Sequence, residues 1–226
     1  PKQTVYATNW LHCDCIAADD DVEMFSKQFM EKLREYISLA AKNGQNVILT
    51  PMFTPPLDTP VGEERMTAQL VGVKKNENIY TFDFSLADEF IDICLECGIK
   101  YFEHSHLFTQ WGVEHAIRIY EGQGRDERLL WTPETGATSD TYRTFLSQFL
   151  PALYEFLRVE DLLQCSYFHV SDEPHGEAHL ANYRQARALL TELAPWMRVM
   201  DALTEISFAQ QGLTDMPIPS IKTATD

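Results

Sequence analysis

A short apolar run followed by a stretch with helical spacing recurs along this chain, and that alternation limits the folds open to it. Residues 6–11, 46–50, 100–103, 166–170 and 198–201 read as strands, and residues 218–221 open a sixth. Between the first two, Phe29, Met30, Leu33, Tyr36, Ile37 and Ala40 keep helical spacing over residues 26–43, with Ser26 placed to cap the start and Gly44 the end. Helices are also predicted over residues 85–97, over residues 140–158 with an interruption at Pro151, and over residues 177–193. Strands separated by helices pair in parallel through right-handed crossovers, and five or six such units exceed a small three-layer domain. The expectation is an α/β chain forming a (β/α)8 TIM-type barrel, incomplete here because the full fold takes about 250 residues and this sequence reaches about strand six.

Two long segments, residues 51–83 and 104–139, interrupt the alternation. In the first, Met66-Thr-Ala-Gln-Leu-Val-Gly-Val and Ile79-Tyr-Thr-Phe-Asp-Phe flank a polar stretch, which predicts a β-hairpin inserted after strand two. No repeat or linker divides the chain, so residues 1–226 read as one barrel domain, a fragment of a longer protein.

Charge narrows the partners. The 34 acidic residues outnumber the 18 basic ones, and a formal charge of −16 repels phosphate backbones and anionic membrane surfaces. No apolar run approaches the roughly 20 residues of a membrane span, and no leader-like segment opens the sequence at Pro1, so any export signal would have been removed or lie outside it. The compartment, bacterial cytoplasm or exterior, stays open, as does the oligomeric state. Of the five cysteines, Cys13, Cys15, Cys94 and Cys97 have zinc-like pair spacing. The second pair, however, falls on a helical apolar pattern that directs sulfur toward a core.

In parallel α/β folds ligands bind beyond the C-terminal ends of strands. Those positions are polar here: His12 and Asp14 after the first strand, Asp58 and Arg65 on the loop after the second, Glu103, His104, His106, Gln110 and Trp111 at the end of the third and beyond it, His169, Asp172 and Glu173 at the fourth, and Asp201 at the fifth. Carboxylates, imidazoles and an indole on one rim suit a carbohydrate, which offers hydroxyls to the polar groups and a C–H face to the aromatic ring. Within Phe168-His-Val-Ser-Asp-Glu-Pro174, two adjacent carboxylates repel, and partial burial would keep one protonated near neutral pH, as a general acid requires. The same triplet also serves simply to cap the next helix. Trp111 reads equally as a sugar platform or a core aromatic, the histidines as substrate contacts or structural groups, and Asp58 and Arg65 as sugar ligands or a loop-bracing pair.

Trp10-Leu-His-Cys-Asp-Cys, Leu49-Thr-Pro-Met-Phe-Thr-Pro-Pro-Leu-Asp-Thr59, Tyr101-Phe-Glu, Ser105-His-Leu-Phe-Thr-Gln-Trp-Gly112, Phe168-His-Val-Ser-Asp-Glu-Pro174 and Asp201-Ala-Leu resemble the catalytic domain of glycoside hydrolase family 123, from about residue 10 to about residue 219. The resemblance implies a (β/α)8 barrel and release of terminal β-linked N-acetylgalactosamine from glycans. It also implies retention of configuration with no enzyme nucleophile and no cofactor or metal. The substrate's 2-acetamido oxygen would attack the anomeric carbon to form an oxazolinium ion, with Asp172 orienting the acetamide and Glu173 acting as acid and then base. His12, Asp14, Asp58, Arg65, His106, Gln110, Trp111, His169 and Asp201 are the candidate substrate ligands. The β-sandwich usual in the family is absent, and the last two strands fall outside the sequence. Two rivals remain at this level. One is a metal-dependent barrel hydrolase or sugar isomerase using His104 with His106 or His175 with His179; the other is a non-catalytic carbohydrate-binding barrel.

Overall fold

A computed structural model describes residues 3–122 and 126–224. At its centre lie three parallel strands, β1 (Val47–Thr50), β4 (Tyr101–His104) and β7 (Ser166–Phe168), in the order β1-β4-β7. All four β1 side chains are buried, which is why this strand reads as a continuous apolar run instead of an alternating one. Between β1 and β4, β2 (Gly72–Asn76) and β3 (Ile79–Asp83) pair as an antiparallel hairpin. After β4 come the short antiparallel pair β5 (Tyr120–Glu121) and β6 (Arg128–Leu129), and near the C-terminus β8 (Met200–Leu203) and β9 (Met216–Pro219) pair in parallel.

The expected barrel is not what the chain forms. Among the described residues there is no sheet of six strands, only the three-stranded parallel sheet, two antiparallel pairs and one parallel pair. The reason lies in the strands themselves, which run for two to five residues, too short to carry continuous ladders around a closed wall. The expected first strand reduces to a single bridge from Thr8 to Val47, because the Asn46 side chain takes the Ala7 N–H at 2.8 Å before Trp10 and Leu11 turn into α1 (Cys13–Asp19). The join between β7 and the segment before β8 is likewise one bridge, Phe168 to Val199.

The helices follow the sequence pattern more closely. α2 spans Lys27–Lys42, its Ser26 Oγ accepting the Phe29 N–H at 3.2 Å, and Gly44 at φ 97° turns the chain out of it. α3 spans Ser85–Glu96, α5 Gly176–Leu193, and a short α6 Ile206–Gln210. α4 runs without a break over Asp140–Val159, so the interruption expected at Pro151 does not occur. Pro151 sits on the exposed side, while Phe145, Phe149, Leu150, Leu153 and Leu157 bury one stripe on both sides of it and hold the two halves in register. That stripe is the middle of the core: Phe145 and Phe149 pack against Phe53 from beyond β1, Phe82 from β3 and, at Phe145, Trp131.

The hairpin lies where it was expected, after β1, but pairing begins only at Gly72. Leu70 and Val71 instead donate their N–H groups to the carbonyls of Pro51 and Met52, tying the loop back to the end of β1. Glu77, at φ 56°, makes the tight turn. Cys94 and Cys13 are buried and Cys97 is half-buried beside the Ser38 hydroxyl. All five cysteines are free thiols, and the four with zinc-like spacing do not form a metal-binding group among the described residues.

Candidate active site

The segment from Leu107 to Trp111 runs alongside the exit of β7 and holds it by its backbone. Leu107 N–H donates to His169 O at 3.1 Å, Phe108 N–H to Val170 O at 3.1 Å, and Trp111 N–H to Asp172 O at 3.0 Å. The Ser171 hydroxyl donates to Thr109 O at 2.8 Å. Four consecutive residues leaving a strand, His169 to Asp172, are thereby fixed without being a strand, and they lead to Glu173, whose φ of 45° is a left-handed conformation rare outside glycine. Trp111 on the facing segment is held at φ 62° and the β-branched Val113 at φ 53°. Three non-glycine residues in that region at one place mark where the surrounding structure over-determines the backbone.

Asp172 is buried, and its Oδ2 accepts the Gln110 side-chain N–H at 2.8 Å. Burial pushes its carboxyl up to about 6, Glu173 next to it adds to the rise, and the Gln110 bond opposes it. The group raised is thus Asp172, whereas the resemblance gives the acid's role to Glu173, which lies exposed at the rim. Gln110 is itself fixed from the other side, where its Oε1 accepts the Asp58 N–H at 2.6 Å, with Asp58 at φ 51°.

Beneath the pair lies a buried ionic chain. His169 Nε2 is 3.0 Å from Glu103 Oε2 and Nδ1 is 3.0 Å from Asp201 Oδ1, all three side chains being closed to solvent. Burial alone would lower the imidazole pKa, but hydrogen bonds and charge from the two carboxylates outweigh it and raise it to about 9. The carboxylates have further donors: Thr8 Oγ1 to Glu103, and Tyr183 Oη and the Val170 N–H (3.1 Å) to Asp201. His106 stacks on His169 with ring centroids 4.5 Å apart, and Trp10 meets both rings edge-on. Burial first, then the charges of His169 and His12, hold the His106 pKa well below the usual histidine range. Neither of its nitrogens has a hydrogen-bond partner among the described residues, and both are closed to solvent.

A second unit stands at the side. Arg65 grips Asp14 with Nε to Oδ2 at 2.7 Å and Nη2 to Oδ1 at 2.9 Å, touches His12 Nδ1 at 3.1 Å, and donates to Leu57 O at 3.0 Å. Burial works against the Asp14 carboxylate, yet the Arg65 bonds and charge bring its pKa below the ordinary value; burial and the same cation lower His12. This fork clamps the loop after β1 to the first turn of α1.

The residues singled out in the sequence thus fall into connected groups. Asp172, Gln110 and Asp58 form one hydrogen-bonded line; His106, His169 and Asp201 form the buried floor; His12, Asp14 and Arg65 form the side clamp; Glu173 and Trp111 stand at the exposed rim. His169 and Asp201 are inside, facing each other. Thr8 and Tyr183 belong to the same network and were not anticipated: Thr8 stands before the polar rim, and Tyr183 lies in α5 at an ordinary core position. Glu103, read as a rim residue but not chosen as a site residue, is the anchor of the floor. His106, His169 and Asp201 are also the group that comes near enough together to hold a cation. A cation there would have to take a nitrogen from an imidazole whose two nitrogens already face carboxylates. His175 and His179 touch, with ring centroids 4.4 Å apart, at the exposed start of α5.

No curated protein matches this sequence. Among solved structures, a family 123 glycoside hydrolase from Clostridium perfringens, analysed for glycolipid glycan hydrolysis, superposes with a TM-score of 0.71 at 14% identity, covering 95% of this chain. The chain spans only 38% of that protein. A bacterial orthologue of human α-L-iduronidase aligns with a TM-score of 0.42 at 11% identity over 87% of this chain and 32% of that one, a likeness too low to bear on the fold. The model of the glycoside hydrolase 123 catalytic domain matches residues 10–226. That match takes in the floor from Trp10 onward, the clamp, the Gln110 line and the carboxylate pair, and by it this chain belongs to glycoside hydrolase family 123.

Proposed function

We propose that the chain carries the catalytic pair of a retaining glycosidase that releases terminal β-linked N-acetylgalactosamine with the substrate's own acetamide as nucleophile. What carries the reading is the unequal placement of two neighbouring carboxylates: Asp172 buried and tethered to Gln110, Glu173 exposed on a strained turn. An enzyme-nucleophile mechanism needs two carboxyl groups about 5 Å apart on opposite sides of the anomeric carbon, a task ill suited to adjacent residues on one turn. In the proposed step the acetamido oxygen forms a bond to the anomeric carbon as the glycosidic C–O bond breaks and Glu173 gives its proton to the departing oxygen. Asp172, ionised, accepts the acetamide N–H and stabilises the positive charge that develops there. Glu173 then takes a proton from water attacking the same carbon, which reopens the ring and restores the β configuration.

For glycan recognition the rim supplies Trp111, whose exposed indole offers a face to the sugar's C–H groups. The test is a panel of aryl β-N-acetylhexosaminides given to the full-length protein, with the anomer of the first product read by NMR. Hydrolysis of the galacto sugar with retained configuration is expected; inversion, or turnover only of sugars lacking the acetamide, overturns the reading.

A further inference from the structure

The turn that carries Glu173 is strained twice over. Glu173 sits at φ 45°, and it precedes Pro174, whose ring ordinarily drives the residue before it to an extended backbone. Gly176 follows at φ 73°. Such a backbone persists only where its surroundings over-determine it. Upstream the hold comes from the backbone of residues 107–111; downstream it comes from side chains, one for each of four consecutive residues. The Glu173 carbonyl accepts from His175 Nδ1 at 3.3 Å and the Pro174 carbonyl from the Thr204 hydroxyl at 3.0 Å. The His175 N–H donates to His179 Nδ1 at 3.1 Å, and the Gly176 N–H to Glu205 Oε1 at 2.8 Å. The imidazole bonds are local to the start of α5, whereas Thr204 and Glu205 reach across from the loop between β8 and α6.

Thr204 is itself anchored from behind. Its carbonyl accepts the hydroxyl of buried Thr223 at 2.7 Å, and the carbonyl of buried Leu203 before it accepts the Ser220 N–H at 3.1 Å. The hydroxyl that meets Pro174 therefore stands on a backbone that is already fixed. We propose that Thr204, seconded by Glu205, is the positioning residue that sets where Glu173 delivers its proton. The assignment rests on the glycosidase reading above. Pro174 has a ring-locked φ, so once its carbonyl is held the neighbouring Glu173 backbone has little freedom left. Proton transfer demands hydrogen-bond reach to the departing oxygen, and a hydroxyl that never touches substrate governs that reach through the backbone. Asp172 is placed independently, by the Gln110 side chain and the Trp111 N–H, so loss of the Thr204 bond leaves the partner of the acetamide where it was.

The experiment measures kcat/KM of the full-length protein on aryl β-N-acetylgalactosaminides with leaving groups from dinitrophenol to phenol, for wild type, Thr204→Val, Thr204→Ser, Glu205→Ala and Glu173→Gln. Thr204→Val exchanges the hydroxyl for a methyl group. Its kcat/KM should fall by about ten-fold or more on the phenyl glycoside and by less than about two-fold on the dinitrophenyl one, the pattern of impaired proton delivery. Thr204→Ser should recover most of the loss, and Glu205→Ala, which frees the Gly176 N–H, should show the same dependence on the leaving group. Losses in Thr204→Val and Glu205→Ala that are equal for all leaving groups, as a smaller folded fraction would give, overturn the positioning role. So does the absence of any loss, or a Thr204→Ser protein as slow as Thr204→Val. The Glu173→Gln protein separates this from the glycosidase reading. If it shows the steep dependence and Thr204→Val does not, the positioning role falls and the acid stands. If it does not, or if wild type hydrolyses none of the series, the acid's role falls and the positioning role with it.

Discussion

Asp172 and Glu173 share a peptide bond and differ in nearly everything else that sets reactivity. If Glu173 is the proton donor, Glu173→Gln lowers kcat/KM by about 10²–10³ for poor leaving groups and far less for an activated aryl group that departs unprotonated. Asp172→Asn lowers both, because the acetamide loses its partner whatever departs. Steady-state kinetics on a series of aryl leaving groups checks this, and an Asp172→Asn protein near wild type on all of them contradicts it. The carboxyl of Asp172 also sets a pH dependence. It titrates at about 6 in the folded chain against an ordinary value of 3.8, so the folded state keeps a proton between those values that the unfolded chain has lost. Stability contributed by this group therefore falls as pH rises from about 4 to about 6, while activity, if the proposed mechanism holds and the carboxylate partners the acetamide, rises over the upper part of that range. Urea titrations across this window should show Asp172→Asn gaining about 1–3 kcal/mol on wild type as pH rises, and losing the acidic limb of the rate profile.

At the scale of the elements, what could be read from sequence was the helices and the strand ends. Ser26, Gly44 and the stripe of α4 signal their structure locally, and His106, His169, Asp172 and Asp201 stood out as candidates at or just beyond the ends of apolar runs, where the structure brings His106, His169 and Asp201 together. Strand length was not legible in the same way. Whether residues 6–11 would form a strand was decided by the Asn46 side chain, 39 residues away from Ala7, and no local pattern encodes that contact. Pro151 misled for the opposite reason: burial on one face of α4 outweighed a single missing backbone donor on its exposed face. Nor could spacing show that Glu103 would reach His169, since the bond crosses from β4 to the exit of β7. That bond bears on the metal rival. Binding a cation at His106, His169 and Asp201 would displace a proton that two carboxylates hold, so dialysis of the full-length protein against EDTA should leave turnover unchanged. Loss of activity restored by zinc would reverse that conclusion.

For the molecule as a whole, the formal charge of −16 sets a field that opposes anionic partners and is indifferent to a neutral glycan. Against that background two of the cations near the site are spent internally: Arg65 on Asp14, His169 on Glu103 and Asp201. At the carboxylate turn itself Trp111, Asp172 and Glu173 are neutral or acidic, a set that would suit the positively charged oxazolinium ion of the proposed mechanism better than a phosphate or a carboxylate. The central claim is that the nucleophile belongs to the substrate, and replacing the hydrogens of its acetyl methyl group with fluorine tests it most directly. Each fluorine withdraws electron density from the acetamido oxygen without altering the leaving group. The account predicts that kcat/KM falls in steps through the mono-, di- and trifluoroacetyl substrates, and a rate independent of fluorination would contradict it.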